Sequence, residues 1–362
     1  MAVRPFPARR FPMAAKGRHR PTKEDLTQVP IEHLDLGKAR SVRDLVAGMR
    51  RTSFQSRQIA LVASVCENMA ADPQCTVFFG AAGALVPGGL KKVLRDLVEH
   101  GLVDVVVTTG AIAYHDWYEA HGHRHWMSSP DADDILLREH MLDRVYDTLA
   151  DEALFRECDD EIANIADNLE PRPYSSREFL EILGKRYKDP DSLVVTCAKR
   201  GVPYFVPALN DSSIGIALTK HYRDRREAGK EPMRIDPIRD NYEITQIKVK
   251  SKRSGVFYVS GGTPKNYISQ TEVIQEVLGF PENPHMYGAQ ITTDVPHWGG
   301  LSGCTFEESQ SWGKFHKDAK MAQAICEATI GLPLVAAYLL QGGIKRRRRT
   351  CRWDGDTLVS LA

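Results

Sequence analysis

The chain contains 362 residues, 42% of them hydrophobic and 26% charged, a balance typical of a folded globular protein and not of a disordered one. Its formal net charge of +1 supplies neither a basic field for nucleic acid nor an acidic field for a cationic macromolecule. Its seven cysteines include no CxxC pair, which argues against a zinc knuckle or a disulfide scaffold.

Membrane insertion and export are also disfavoured. The longest apolar stretches, such as residues 332–340, are far shorter than the roughly 20 residues that a membrane-spanning helix requires. The N-terminus carries arginines and prolines but lacks the apolar core of a signal peptide. We therefore expect a cytoplasmic protein that contacts neither a membrane nor nucleic acid.

Residues 1–40 predict a flexible N-terminal arm, because they mix Pro, Arg and Lys with few large apolar residues, as in Arg4-Pro5-Phe6-Pro7. A single domain is predicted to follow over residues 41–344. Its first helix is expected near Ser41, since Ser41-Val42-Arg43-Asp44 has the Ser/Thr-x-x-acid form of a helix start and precedes apolar residues at helical spacing.

The next segments predict a βαβ unit. Thr76–Phe79 and Val103–Thr109 are short apolar runs rich in β-branched residues and bounded by glycine, as expected of buried strands. Between them, Gly88–His100 carries leucines and valines spaced by three and four, which predicts a helix. A strand, a helix and a strand in this order favour a parallel sheet of Rossmann-like type.

The rest of the domain continues this alternation. Residues 134–186 are charged and helical in pattern, and we expect them to pack outside the sheet. Beyond them, strands are predicted at 204–206, 255–259, 289–293 and 321–326, and helices at 213–226, 264–278 and 329–340. The predicted fold class is therefore α/β, a Rossmann-like parallel sheet flanked by helices.

Residues 345–362 predict a basic C-terminal tail. The run Lys345–Arg349 could contact nucleic acid or serve as a localisation signal, but a short basic run beyond the last helix is more often a solvated end or an inter-subunit contact. We favour the second interpretation, and the run does not set the function.

Three glycine-containing turns follow predicted strands. They are Gly80-Ala81-Ala82-Gly83-Ala84, Thr108-Thr109-Gly110-Ala111 and Ser260-Gly261-Gly262-Thr263. A nucleotide phosphate needs close approach of the backbone at the carboxyl end of a strand, next to a helix N-terminus. None of the three is the full G-x-G-x-x-G fingerprint, and a glycine after a strand is usually only a turn. Together, however, they favour a nucleotide site.

Ser311-Trp312-Gly313-Lys314 is a candidate reactive segment. A large aromatic beside a lysine can exclude water, and desolvation lowers a lysine pKa, which favours the neutral amine that attacks carbon electrophiles. Most lysines are surface charges, so this pattern alone is weak. A second candidate, His121-Gly122-His123-Arg124-His125, could bind a metal, but no carboxylate or cysteine sits at ligand spacing and a polar loop is favoured.

Four segments together resemble the deoxyhypusine synthase family, in order and at compatible separations: Thr76–Thr109, Pro207-Ala208-Leu209-Asn210-Asp211, Val259–Ile268 and, most specifically, Ser311–Lys314. The resemblance spans about residues 41–340. It implies a Rossmann-like domain assembled as a homotetramer, with active sites at subunit interfaces and NAD in each.

The resemblance also implies the chemistry. NAD takes a hydride from a carbon beside an amine of spermidine, the resulting imine loses diaminopropane, and Lys314 captures the four-carbon unit as a covalent imine. Transfer to an acceptor amine and return of the hydride complete the cycle. By position, the implied NAD contacts are Gly83, Ala84, Thr108, Thr109, Gly110, Asp211, Gly261, Gly262, Thr292, Thr293 and Glu327, the last standing where the family has aspartate.

The implied amine site departs from the family. Tyr114 and His115 replace two consecutive glutamates, and Ile216 replaces an aspartate. Asn266, which lies beside Tyr267, occupies the position of the histidine in a Lys-His-His segment of the family. Trp298 and Leu301 occupy positions before Lys314 where the family has acidic residues. The expected amine contacts are His115, Asp116, Glu308, Trp312 and Trp298.

Because each lost carboxylate removes a partner for a buried ammonium, the pocket suits an amine with fewer charges or a different spacing. The leading hypothesis is an NAD-dependent aminoalkyl transferase that makes a small polyamine, such as homospermidine or spermidine, through an imine on Lys314. Two alternatives stay open. One is true deoxyhypusine synthesis on a lysine of a translation factor, and the other is a non-catalytic NAD-binding sensor whose basic tail contacts another macromolecule.

Overall fold

A computed structural model describes residues 22–344 and 346–362. Its strands are β1 (Cys75–Ala81), β2 (Val105–Thr108), β3 (Trp126–Met127), β4 (Leu142–Val145), β5 (Thr148–Asp151), β6 (Pro173–Tyr174), β7 (Tyr204–Phe205), β8 (Arg234–Ile235), β9 (Arg253–Val259), β10 (His285–Thr292), β11 (Phe315–Ile325), β12 (Cys351–Asp354) and β13 (Thr357–Leu361).

Its α-helices are α1 (Lys23–Leu26), α2 (Val42–Met49), α3 (Phe54–Ala71), α4 (Lys91–Glu99), α5 (Gly110–Ala120), α6 (Asp134–Glu139), α7 (Glu152–Asp167), α8 (Ser176–Arg186), α9 (Leu193–Arg200), α10 (Ser213–Glu227), α11 (Pro237–Lys250), α12 (Gly262–Val277), α13 (Phe306–Gln310) and α14 (Ala328–Leu340). A π-helical turn at Val86–Leu90 leads into α4. None of the helices in the described residues is long and apolar enough to cross a membrane.

Six parallel strands form one sheet in the order β11-β10-β9-β1-β2-β7. Strand β1 lies inside it, where Phe78 pairs with Val105 of β2 and Val256 of β9. All seven residues of β1 are buried, as a parallel strand covered by helices on both faces requires. The α/β fold class with a parallel sheet flanked by helices is therefore confirmed.

Two hydrophobic cores cover the two faces of the sheet. Side chains alternate across a strand, so Val77 and Phe79 of β1 point into one core and Phe78 points into the other. The first core packs against helices that include α3, α4, α5, α9 and α14. The second contains residues of α11, α12 and α13. The site described below lies along the edge that these two layers share.

The order of the strands reverses beside β1. The chain passes from β1 to β2 and β7 on one side, then returns to place β9, β10 and β11 on the other side. The carboxyl ends of β1 and β9 therefore flank the switch point, which is where open parallel sheets bind ligands.

The prediction that residues 134–186 are helical is wrong over residues 142–151. Helix α6 ends at Glu139, and β4 and β5 then form an antiparallel hairpin to which β3 adds a third strand. Met141 and Tyr146 adopt positive φ angles of 56° and 55°, conformations that a helix interior cannot contain. Leu142 and Val145 thus belong to a strand, because tertiary pairing overrides their helical spacing.

The C-terminal run is not simply a solvated end, and that expectation is wrong for Arg346 and Arg348, although Arg347 is exposed. The Arg346 side chain is only 3% exposed and pairs with the buried carboxylate of Asp104. Arg348 Nη2 donates to the carbonyl of Glu99 at 3.0 Å. Beyond them β12 and β13 form a hairpin that packs against α11 with Leu358 buried. Lys345 lies outside the described residues.

The predicted N-terminal arm falls largely on residues 1–21, which lie outside the described residues. In residues 22–40 the chain forms only the single turn α1, capped by Thr22, whose hydroxyl accepts from the backbone of Asp25 at 3.2 Å. Most of these residues are exposed.

Candidate active site

The residues expected to bind NAD all follow the carboxyl ends of the parallel strands. Each of the six strands contributes to this edge: Gly83 and Ala84 after β1, Thr108–Gly110 at the end of β2, Asp211 after β7, Gly261 and Gly262 after β9, Thr292 and Thr293 at the end of β10, and Glu327 after β11. Because the strands are parallel, the fold gathers these dispersed residues along one edge of the sheet.

The turns after β1 and β9 adjoin at the switch point. Gly83 has a φ of +94°, and a Cβ placed on it would lie 3.9 Å from Ser260 Oγ. A Cβ on Gly261 would lie 2.5 Å from Ser302 Cα, so only glycine fits between the strand end and the segment after β10. The backbone N–H of Gly262 donates to Ser302 Oγ at 2.9 Å. These glycines leave the backbone open to close approach.

Two helices begin at this edge without a side-chain cap. Helix α12 starts at Gly262 and α5 starts at Gly110, and in neither helix does a side-chain oxygen of the cap residue accept a hydrogen bond from the first turn. The first-turn N–H groups of such helices favour an anion. Thr109 Oγ1 is buried and has no hydrogen-bond partner among the described residues. A Cβ on Gly110 would overlap Ser212, which brings this turn against the segment that carries Asp211.

Glu327 caps helix α14 and still presents an oxygen at this edge. Its Oε2 accepts from the N–H of Thr329 at 2.8 Å and that of Ile330 at 3.3 Å. Partial burial alone would raise the pKa of Glu327, but the hydrogen bonds from Thr329 outweigh it and hold the pKa below its usual range. The residue is exposed, so its carboxylate can accept a further hydrogen bond.

Lys314 lies at the start of β11, after a turn in which Gly313 has a φ of +70°. Its backbone is held on both sides, because its N–H donates to Ser309 and its carbonyl accepts from His285 at 3.1 Å. Lys314 Nζ lies 5.6 Å from the centre of the Trp312 ring, within range of a cation–π contact. Partial burial lowers the pKa of Lys314, and no acidic side chain forms an ion pair with it in the described part of the chain.

Lys265, in the first turn of α12, is a buried lysine that the sequence did not single out. It is 3% exposed, and its Nζ donates to Gln290 Oε1 at 2.9 Å and to the carbonyls of Ser302 and Cys304 at 3.2 and 2.6 Å. Burial, together with the charge of Lys314, lowers the pKa of Lys265 to about 8. The hydrogen bonds to Ser302 and Cys304 thus connect α12 to the segment that leads to Lys314. The signals that could have identified Lys265 were its position four residues after the Gly261 turn and its place as the lysine of the segment Lys265-Asn266-Tyr267.

Two tryptophans of this segment are strongly exposed. Trp298 is 78% exposed and Trp312 is 66% exposed, and Glu308 between them is also exposed. Large apolar side chains clustered on one exposed segment are typical of an interaction surface.

One chain does not join the two halves of the expected site. Lys314 precedes β11, at one edge of the sheet, whereas Thr109 and His115 follow β2, four strands away. At about 4.8 Å per strand, this separation is roughly 19 Å or more. The β2 part of the cofactor edge and Lys314 of a single chain therefore lie at different strands of the sheet, whereas the Gly261–Gly262 turn and Lys265 contact the segment that leads to Lys314.

Asp116 is a correction to the expected amine site. Its side chain is fully buried, and its carboxylate accepts from the N–H groups of Leu193 and Val194, both at 2.9 Å, and from Ser192 Oγ at 2.6 Å. Burial raises the pKa of Asp116 to about 6, although these hydrogen bonds oppose the rise. The residue caps α9 and presents nothing to a ligand, so its expected role as an amine contact is wrong.

His115, its neighbour, lies on the half-exposed face of α5. Tyr114 on the other side is buried and donates its hydroxyl hydrogen to Asp159 Oδ1 at 2.7 Å. Of Tyr114 and His115, which replace two consecutive glutamates of the family, only His115 is therefore accessible. Within the described residues, no group of three or more His, Cys, Asp or Glu side chains has the arrangement of a metal site.

Comparison with known proteins identifies relatives across nearly the whole chain. The family model for deoxyhypusine synthase matches residues 44–339. "Probable deoxyhypusine synthase 2" of Methanosarcina mazei is 45% identical over 342 residues, 93% of this chain and 97% of that protein. "Deoxyhypusine synthase-like protein" of Chlorobaculum parvum is 40% identical over 323 residues, 87% of this chain and 91% of that protein.

Among solved structures, a crystal structure from Entamoeba histolytica that is named for deoxyhypusine synthase superposes with a TM-score of 0.59. The match covers 88% of this chain and 99% of that chain. At 18% sequence identity, this likeness supports the fold alone.

Proposed function

Because the chain belongs to the deoxyhypusine synthase family of aminobutyl transferases, we propose that it is a cytoplasmic, NAD-dependent aminoalkyl transferase acting on polyamines through an imine on Lys314. Its product is a small polyamine such as homospermidine or spermidine. The observation that carries the proposal is the setting of Lys314, half-buried beside Trp312 and without an acidic partner in the described residues. A lysine in this setting reaches its neutral, nucleophilic form more readily than a solvated one.

The carboxyl edge of the sheet fits a dinucleotide. The turns at Gly83 and Gly262 have no side chain to obstruct a pyrophosphate, and the start of α5, whose cap residue makes no side-chain hydrogen bond to the first turn, offers N–H groups to it. Thr109 Oγ1, buried without a partner in the described residues, is a further donor for the ligand. Glu327 and Asp211 are exposed acids able to accept from ribose hydroxyls. NAD bound here supplies a hydride acceptor that later returns the hydride.

The chain's own residues supply the transfer step. Neutral Lys314 attacks the imine carbon of the oxidised donor, the donor amine leaves, and the four-carbon unit stays attached to Nζ until an acceptor amine displaces it. Trp312 covers one side of the ammonium and limits water. Lys265 holds the segment that leads to Lys314 through its three hydrogen bonds.

The active site is proposed to form between two copies of the chain within a homotetramer. The four strands between Lys314 and the turn after β2 of its own chain, a separation of roughly 19 Å, support a site in which Lys314 of one copy meets that turn of another. The exposed Trp298 and Trp312 supply an apolar surface for that contact.

A small amine substrate is supported by the scarcity of acids around Lys314. Glu307 and Glu308 are exposed carboxylates of the segment, whereas Trp298 and Leu301 stand at positions where an acid would pair with an ammonium. A tryptophan face holds a cation by cation–π attraction without adding negative charge. The pocket therefore favours an amine with fewer charged groups than a long polyamine.

True deoxyhypusine synthesis is a second candidate, favoured by the name of the Methanosarcina mazei relative. The presence of a modified lysine in a co-incubated translation factor, read by mass spectrometry, would favour this candidate. The sensor alternative has less support, because Arg346 and Arg348 bind within their own chain instead of forming a free basic surface.

The test is incubation of the purified protein with NAD and a panel of amines (putrescine, spermidine and agmatine), followed by borohydride reduction and peptide mass analysis. We expect a mass increment on the peptide bearing Lys314, and its size identifies the donated unit. Lys314→Arg should abolish the adduct and the transfer while NAD still binds, because arginine keeps the charge but cannot become a neutral nucleophile. Lys317→Arg, at an exposed lysine nearby, is the matched control. Transfer that survives Lys314→Arg would refute the proposal.

A further inference from the structure

A chain of hydrogen bonds runs from the half-exposed face of α5 into the protein. His115 Nδ1 lies 2.9 Å from His125 Nε2, and His125 Nδ1 lies 2.8 Å from Glu119 Oε1. The other oxygen of Glu119 lies 3.5 Å from Lys91 Nζ, which also pairs with Asp189 at 2.7 Å. Two imidazoles and a carboxylate, anchored by a lysine, are thus joined in series.

The carboxylate sets the tautomers of both histidines. Because ionised Glu119 can only accept, His125 Nδ1 carries the hydrogen that is shared with it. Neutral His125 therefore has a bare Nε2, which accepts from His115 Nδ1–H. The remaining nitrogen of His115, Nε2, is then bare and available as an acceptor.

The surroundings keep His115 uncharged when the site is at rest. Burial, and then the neighbouring His125, lower the pKa of His115 to about 4. Its ring packs against the rings of Tyr114 and Phe155, and the titratable groups on the elements around it are His125, Glu119 and Asp159, the last held by Tyr114. Near neutral pH, His115 is thus uncharged, and because its own basicity is low, a proton accepted at Nε2 is held only when the hydrogen on Nδ1 passes to His125, which faces the carboxylate of Glu119.

His115 also lies close to the proposed cofactor edge. It follows the Thr109–Gly110 turn by five residues on α5, about 7.5 Å along the helix axis. Ala111, His115 and Glu119 form the half-exposed stripe of this helix, so the ring faces the same side as the start of the helix. Ile216 and Asn266, at other positions of the expected amine site, carry no side chain that takes up a proton near neutral pH.

We propose that His115 is the base that removes the proton from the substrate ammonium before hydride transfer, with His125 and Glu119 as positioning residues. This inference rests on the proposed amine oxidation. An ammonium nitrogen has no lone pair to expel a hydride from the adjacent carbon, so it has to lose a proton first.

In this step the substrate N–H bond breaks, its electron pair stays on the nitrogen, and the proton binds to His115 Nε2. The hydrogen on His115 Nδ1 moves to His125 Nε2. The positive charge then resides on His125, against the carboxylate of Glu119, and not beside the reacting carbon. Proton transfer of this kind typically contributes about a hundredfold or more to the rate.

The test is the rate of NADH formation in a single turnover, read by absorbance after enzyme with bound NAD is mixed with an amine on which the wild type is active. His115→Gln keeps a hydrogen-bond acceptor but cannot take up a proton. We expect its rate near neutral pH to fall on the order of a hundredfold, with little change in KM. The rate should then recover by about tenfold per pH unit, because the variant depends on amine that has already lost its proton in solution.

Glu119→Gln is the second variant, and it leaves His115 in place. An amide can donate to His125 Nδ1 and impose the wrong tautomer, so the same loss near neutral pH and the same recovery at high pH are expected. His123→Gln is the matched control, since His123 lies in the same loop and contacts Tyr118 and His121 but is not a member of the relay. Its rate should equal that of the wild type.

A rate equal to wild type in both relay variants, or an equal loss at every pH, would overturn the role of His115 while leaving the proposed function intact. Absence of NADH formation by the wild-type protein with every amine of the panel would instead overturn the proposed function, and this inference with it.

Discussion

Replacement of Arg346 by methionine should strongly destabilise the protein. The guanidinium donates to Asp104 Oδ1 at 2.8 Å, to the carbonyl of Gly101 at 2.9 Å and to that of Cys75 at 2.8 Å. Asp104 itself is 1% exposed and retains only two backbone donors, Val77 and Arg349, when the arginine is removed. The variant therefore leaves a buried carboxylate without its cation.

The magnitude follows from the burial of both partners. Removing one member of a buried ion pair costs about 3–5 kcal/mol, because the remaining charge is uncompensated in a poorly solvated environment. The two carbonyls that lose their donors add to this cost, at about 1 kcal/mol or more each if water does not replace the donor. We therefore expect a loss of about 3–5 kcal/mol or slightly more in the free energy of unfolding.

The assay is urea unfolding followed by circular dichroism at one protein concentration. Arg352→Met is the matched control, because Arg352 belongs to the same tail but is exposed, and it should change the free energy of unfolding by less than about 0.5 kcal/mol. The double variant Asp104→Asn/Arg346→Met should regain part of the loss, since it removes the unpaired charge. A loss below about 1 kcal/mol in Arg346→Met would refute the conclusion that the tail is an integral part of the fold.

Three further changes test the site. Lys265→Met should weaken amine transfer by tenfold or more. The free energy of unfolding of the wild type, relative to that of this variant, should rise between pH 8 and 10.5, because the lysine has a pKa of about 8 in the folded state and releases its proton before the unfolded one does. Urea unfolding across that pH range measures this difference. Gly261→Ala should weaken NAD binding by tenfold or more, as measured by calorimetry, because the new methyl group would displace Ser302. Gly300→Ala meets only a side-chain tip, so unchanged binding is expected there and equal weakening in both variants would contradict the reasoning. Asp116→Asn should lower the free energy of unfolding by about 1–3 kcal/mol and leave KM for the amine unchanged, since the Asp116 carboxylate caps α9. A raised KM with an unchanged free energy of unfolding would restore its role as an amine contact.

Local patterns were sufficient to predict the architecture. The runs that became β1, β2, β9 and β10 contain stretches of apolar residues, such as Val77–Phe79, Val105–Val107 and Val256–Val259, and strands buried on both faces require such stretches. The glycines after them were recognisable because a turn at a strand end needs their conformational freedom. Lys314 was singled out because the contiguous tetrapeptide Ser311–Lys314 carries the resemblance to the family.

Long-range contacts were not predictable in the same way. Lys265 looked like an ordinary lysine, and its burial depends on Gln290 and on carbonyls 37 and 39 residues away. Asp116 lies beside His115 in the sequence, yet its role is decided by backbone donors 77 and 78 residues further along the chain. The hairpin at residues 142–151 carries helically spaced apolar residues, and the pairing of β4 with β5, to which β3 adds a third strand, overrides that spacing.

The sequence by itself determined the alternation of strands and helices, the three glycine turns and the tetrapeptide that ends in Lys314, because each depends on neighbours along the chain. Only the tertiary structure decided which charged groups are buried and which partners they meet. Arg346 and Asp104 are 242 residues apart and each would read as a solvated charge. The cost of burying a charge depends on the partner that the fold supplies, and such a partner leaves no local pattern in the sequence.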